Sequence, residues 1–290
     1  MEYLIHILIM IFIYSILSVS LNLVSGYAGL ISMAHSAFYG IGAYISAIMA
    51  FKYQSPFLIN FVSAVSLCSL FGALVGIPSL RIRDDYFVIA TVAFQIIIFN
   101  ILNNWVSLTN GPMGISVIQM PIIFGVKLSS HLEFLILIGT LSACIYWISY
   151  RVVCSPFGRV LKAIREDEVF ALAAGKNIAI FKVLIFVISS GMAGAAGVMY
   201  SYYISFIDPT SFTVMESIFI ITIVIIGGAG KLFGSVAGAI ILVLIPEILR
   251  FIGIPSTIEA NIRQIIYGGM LVAFIIWRPK GLFGDYIFYS

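Results

Sequence analysis

Nine apolar stretches, each close to the length that crosses a bilayer, follow one another along this 290-residue chain. They are Leu4–Val24, Leu30–Ala50, Phe57–Pro78, Tyr86–Trp105, Leu132–Tyr150, Phe181–Ile204, the short Phe212–Ile226, Val236–Phe251 and Ile262–Trp277. A hydrocarbon core about 30 Å thick needs about 20 apolar residues per helix. Lipid offers no hydrogen-bond partners, so a spanning backbone must be helical or closed into a barrel. These runs are continuous rather than alternating, which excludes barrel strands. Charged residues make up only 9% of the chain, against about 25% in a soluble domain. The expected fold is therefore all-α: one polytopic transmembrane bundle over residues 1–290, with about nine spans and Gly-rich breaks. The opening segment Met1–Tyr14 lacks a basic flank and is expected to be a retained first span.

Charge placement suggests an orientation. With the polar segment 151–182 placed in the cytoplasm, alternation puts Arg81, Arg83, Arg151, Arg159, Lys162, Arg165, Lys176, Lys182, Lys231, Arg278 and Lys280 inside. Only Lys52, Lys127, Arg250 and Arg263 fall outside. The N-terminus is then outside and the C-terminus inside. A re-entrant seventh segment would break this pattern.

Several chemistries are excluded. The net charge of +3 is too small and scattered for nucleic acid binding. Cys68, Cys144 and Cys154 have neither metal-ligand nor redox spacing. His6, His35 and His131 lie far apart and without acidic company, which argues against a metal site or a membrane enzyme. The Gly227–Lys231 run resembles a phosphate loop but fails as one: Ile225 stands where the first glycine belongs, and Leu232 where a hydroxyl residue belongs. No cofactor and no catalytic residue is expected. No span centre holds an Asp, Glu, Lys or Arg, so the ion relay of a secondary transporter is missing. Glu216 and Glu247 fall near span ends, and Glu247/Arg250 and Glu259/Arg263 have the spacing of helix-surface pairs.

Two Gly-interrupted breaks remain, Gly26–His35 and Gly227–Gly234. Paired breaks of this kind flank transport pathways, so Gly26, Gly29, Ser32, His35, Ser36, Gly228 and Gly230 are candidate pathway residues. Tight turning and close helix packing would also explain them. Gly72, Gly76, Gly191, Gly194 and Gly197 fit packing. In the longest polar segment, Val160 and Ile164, then Val169, Leu172 and Ala173, recur at helical spacing, with charges opposite. This predicts a short amphipathic helix followed by a small-residue helix ending at Gly175. The mixed charges Arg165-Glu166-Asp167-Glu168 favour a protein partner over anionic lipid.

Several stretches resemble, in order and over essentially the whole chain, the Liv-type branched-chain amino acid permeases of ABC importers. They are Ser20–Ser32 with Ala37–Tyr44, Leu80–Thr91, Leu108–Ile115, Ala163–Glu168, Gly227–Gly230 and Arg278–Gly284. Asp84 stands where that family usually has glycine. Glu168–Gly175 resembles the EAA-type coupling loop, without its strict Glu-Ala-Ala triplet. The resemblance implies a subunit in a bacterial cytoplasmic membrane. Its partners would be a second related permease, two cytoplasmic ABC ATPases and an extracytoplasmic solute-binding protein. Arg159, Arg165, Glu166, Asp167, Glu168, Ala171 and Gly175 would form the ATPase contact, and 110–115 would face the binding protein. Urea and short-chain amide permeases carry similar signatures and remain an alternative.

Overall fold

A computed structural model describes residues 2–79, 84–116, 121–123, 126–127, 130–251, 256–278 and 280–284. Each of the nine apolar stretches carries a helix, although the second becomes helical only at His35 and the seventh becomes α-helical only at Val214. The elements are α1 (Glu2–Asn22), α2 (His35–Tyr53), α3 (Phe57–Ser79), α4 (Asp84–Asn104), α5 (Val106–Thr109), α6 (His131–Cys154), α7 (Pro156–Glu166), α8 (Glu168–Ala173), α9 (Ile178–Ile204), α10 (Val214–Gly227), α11 (Leu232–Phe251) and α12 (Ser256–Trp277). Leu80–Arg83 lie outside the described residues, as do the side chains of Asp84, Lys127, Arg250, Glu259 and Arg263.

Five of these helices are long and apolar enough to cross a membrane by themselves. The α10–α11 pair passes the same test jointly but is bent by 119° at its four-residue break. The molecule is a helical membrane bundle. Its weak seventh segment is one arm of a broken pair, because α10 has only 14 residues.

α9 is the hub, packed along α2 and α3. In lipid the hydrophobic effect does not press helices together, so close backbone approach must supply the adhesion. The glycines provide it. A Cβ on Gly42 would strike the Gly194 backbone, one on Gly194 would strike Cys68, and one on Gly197 would strike the Tyr39 carbonyl. Gly72 and Gly191 sit against Ser190 and Ser69. Buried Cys68 donates to the Phe38 carbonyl at 3.4 Å, a packing role. At the bundle end where α2 and α9 finish, the 3₁₀ turn Pro209–Phe212 drives Phe212 between Tyr39, Tyr44 and Tyr200. Gln95 on α4 donates to its carbonyl at 2.7 Å. Nearby, Ile115–Ser116 pairs antiparallel with Phe206–Ile207. This ties down the 110–115 loop, where Asn110 takes a positive φ and its amide donates to the Gly114 carbonyl at 2.8 Å.

Candidate functional site

The motifs separated in sequence meet in one place. α1 does not stop at Asn22 but loosens into a π-turn, Leu23–Tyr27, before the chain breaks at Gly29 with φ +75°. The first break is thus shorter than its glycines suggest: Gly26 is still helical. The reason is Asn22, buried at the last α-turn. Its amide donates to the Lys231 carbonyl at 2.9 Å and to Ser235 Oγ at 2.7 Å. Its Oδ1 accepts from the Gly230 N–H at 2.9 Å. One side chain therefore holds the α10–α11 break against the end of α1. Gly26 faces this contact so closely that a Cβ would strike both Asn22 Oδ1 and the Gly230 nitrogen.

The C-terminal turn closes the same junction. The Leu282 and Phe283 N–H groups donate to the Ile226 and Gly227 carbonyls at 2.9 and 3.1 Å, satisfying acceptors that the end of α10 leaves open. Gly228, at φ +112°, lies directly against Gly284.

α7 caps the junction from outside. Ser155 accepts from the Gly158 N–H and Pro156 stands in the first turn, which together start the helix. Gly158, Leu161 and Ile164 face inward, at three-residue spacing. Arg165 reaches from this helix to the Gly26 carbonyl, with Nη1 at 2.5 Å, and its Cγ crowds Gly29. Lys162 lies over the Tyr27 ring, 5.5 Å from its centroid. Asp167 then breaks the helix and caps α8, accepting from the Val169 and Phe170 N–H groups at 2.8 and 3.0 Å. Glu168 pairs with the buried Lys182 of α9. Gly175, at φ +75°, ends α8: the Gly175 and Lys176 N–H groups return to the Leu172 and Ala171 carbonyls, a Schellman closure.

One detail differs from the periodic reading of this segment. Ala171 packs with Ile164 and Ile178, whereas Val169, Phe170 and Leu172 are 75%, 68% and 57% exposed. The kink at Asp167 resets the helical phase, so the apolar face of α8 points away from the bundle. Arg159, Glu166 and Asp167 are also exposed. The predicted contact residues thus divide into inward anchors (Arg165, Glu168, Ala171) and outward groups.

The candidate pathway residues are placed as follows. Gly26, Gly228 and Gly230 form the packed junction, with Gly29 under Arg165. Ser32, His35 and Ser36 are buried above it. Ser32 Oγ accepts from the Ala34 N–H at 3.3 Å. The Ser189 hydroxyl donates to the Ser20 carbonyl at 2.5 Å, so its oxygen accepts from His35 Nε2 at 2.9 Å. The Ser36 N–H donates to Ser217 Oγ at 3.2 Å. His35 therefore knits α1, α2 and α9 together. Asn22 was not singled out by sequence reasoning. Its signal was an amide alone in an apolar run, which must find partners in lipid.

The family model described as "Branched-chain amino acid transport system / permease component" matches residues 3–275. The high-affinity branched-chain amino acid transport system permease protein LivM of Escherichia coli is 33% identical, over 93% of this chain and 67% of that protein. The probable LivM of Methanocaldococcus jannaschii is 25% identical over 93% and 90% of the two chains, and the LivH permease of Escherichia coli 26% over 93% and 91%. No solved structure matches. The chain belongs to the branched-chain amino acid transport permease family.

Proposed function

We propose that this chain is a permease subunit of an ATP-driven importer, forming with a second related permease the route by which branched-chain or other hydrophobic amino acids enter the cell. Its relatives' names favour this solute over urea and short-chain amides. ATP hydrolysis belongs to two separate cytoplasmic ATPases, and capture of solute to an extracytoplasmic binding protein that meets the 110–115 loop. The N-terminus then lies outside and the α7–α8 segment in the cytoplasm.

The observation that carries this reading is the α7–α8 pair. It is anchored by Arg165 to the α1 break and by Glu168 to α9, yet it turns Val169, Phe170 and Leu172 outward. Such an apolar helical face suits a groove on a soluble partner. A push on α7 moves the Gly26 carbonyl, and through Asn22 the α10–α11 break. The packed junction is thus the gate at the cytoplasmic end, and Gly26, Gly29, Gly228 and Gly230 shape it by close approach rather than by touching solute.

Purification of Phe170→Asp and of Arg165→Glu/Glu168→Lys complexes tests the assignment. Phe170 makes no inward contact that folding needs, so its variant should keep the permease pair and lose the ATPases. The double variant should lose ATP-driven uptake. Full ATPase content with normal uptake in both would overturn the coupling role.

A further inference from the structure

Away from the junction, a cleft of about 400 Å³ opens between α1, α10, α11 and α12. Its size falls in the range of about 300–1,000 Å³ usual for small-molecule sites. His6, Met10, Glu216 and Glu247 place it towards the helix ends opposite the α7 side. Two carboxylates from different helices face it. Glu216 is oriented by Tyr14, whose hydroxyl donates to Oε1 at 2.7 Å. Glu247 Oε2 is shielded from solvent and has no hydrogen-bond partner. The two carboxylates, with Gln264 beside them, make one side of the cleft polar. Ile7, Val243 and Phe219 make its other side apolar.

A carboxylate oxygen shielded from water and without a hydrogen-bond partner is best satisfied by a charged donor. A primary ammonium offers three. An aliphatic chain attached to it would lie along Ile7 and Val243. We infer that this cleft is a solute subsite in which Glu247, beside the Tyr14-oriented Glu216, receives the α-ammonium group of an aliphatic amino acid. The inference rests on the reading of the chain as an amino-acid permease and adds where within this subunit the solute is held.

The test is made on the purified complex in lipid nanodiscs, with Met10→Cys as a reporter on the cleft wall. Cys144 and Cys154 are exposed and are replaced by alanine to remove background labelling. L-Leucine and 3-methylbutylamine should both slow maleimide labelling of the reporter, and 4-methylpentanoate should not. Glu247→Gln should raise the leucine concentration for half-protection by about 10-fold or more, the loss expected for a charged hydrogen bond. Glu247→Asp should restore part of it. Equal protection by the carboxylate, no protection by leucine, or unchanged protection in Glu247→Gln would each overturn the subsite. Leucine uptake by the unmodified complex is measured separately. Uptake without protection sinks only the subsite, whereas absence of uptake sinks the transport reading itself.

Discussion

Asn22 Oδ1 accepts the Gly230 N–H at 2.9 Å, a contact between residues 208 positions apart. It joins the end of the first helix to the break in the α10–α11 pair. The same amide serves Lys231 and Ser235, so one side chain satisfies three groups. Asn22→Leu keeps the volume but takes this partner from the Gly230 N–H and Ser235 Oγ, while the Lys231 carbonyl keeps the Ser235 N–H at 3.4 Å. Each stranded buried group costs about 1–3 kcal/mol. Ser18→Ala, by contrast, removes a hydroxyl that also has a local acceptor at Ser15 and strands little. Heating purified complexes and measuring what survives size exclusion should show a large loss for Asn22→Leu and a small one for Ser18→Ala.

Gly26 and Gly175 lie in the same functional region but should respond in opposite ways to alanine. Gly26 has no room for a Cβ, because Asn22 and the Gly230 backbone occupy it. Gly26→Ala should therefore open the junction and abolish uptake. Gly175 has nothing within 4 Å, and only its φ of +75° resists substitution. That strain costs about 1–2 kcal/mol. Gly175→Ala should assemble normally and keep most of its uptake, read as initial rates in proteoliposomes.

The sequence made the helices legible because length and apolarity decide them directly in lipid. The α7–α8 pair was also visible, from the helical spacing of Val160 and Ile164 and the local stop at Gly175. What escaped was whatever depended on a distant partner. Asn22 looked like one amide in an apolar run, and nothing local said that it would cap a loop 208 residues away. Glu247 has the i, i+3 spacing of a surface pair with Arg250, yet it faces the same cleft as Glu216. Val169 and Leu172 continued the helical spacing of Val160 and Ile164, so the direction of the second helix's apolar face was not legible. The Asp167 cap starts a new helix and turns them outward.

The tight α2–α9 and α3–α9 contacts allow a sharper comparison. A Cβ on Gly42 would meet the Gly194 backbone, which cannot move without parting the helices. A Cβ on Gly191 would meet first the hydroxyl of Ser69, which can rotate away, and then Val65 at an ordinary 3.5 Å. Overpacking against fixed backbone costs about 1–3 kcal/mol or more. Gly42→Ala should thus reduce the yield of folded complex several-fold, and Gly191→Ala should leave it near normal. Combining Gly191→Ala with Ser69→Ala should remove what cost remains, as read from the surviving fraction after heating.

The C-terminal turn should matter through its backbone more than its side chains. The Leu282 and Phe283 N–H groups supply the donors that the last α10 carbonyls lack, and Gly284 lies on Gly228. Phe283 also touches the Phe233 ring, with centroids 5.4 Å apart, but it is nearly half exposed. Phe283→Leu preserves both backbone bonds and should cost less than about 1 kcal/mol. Gly284→Ala would force a Cβ against Lys280 and Gly228 and lift the turn away. The α10 carbonyls are then left for water to satisfy at the junction. ATP-driven uptake should fall steeply in Gly284→Ala and in a chain ending at Arg278, while ATPase content stays intact, because α7 and α8 make none of these bonds. Normal uptake in both variants would show that the junction holds without its C-terminal closure.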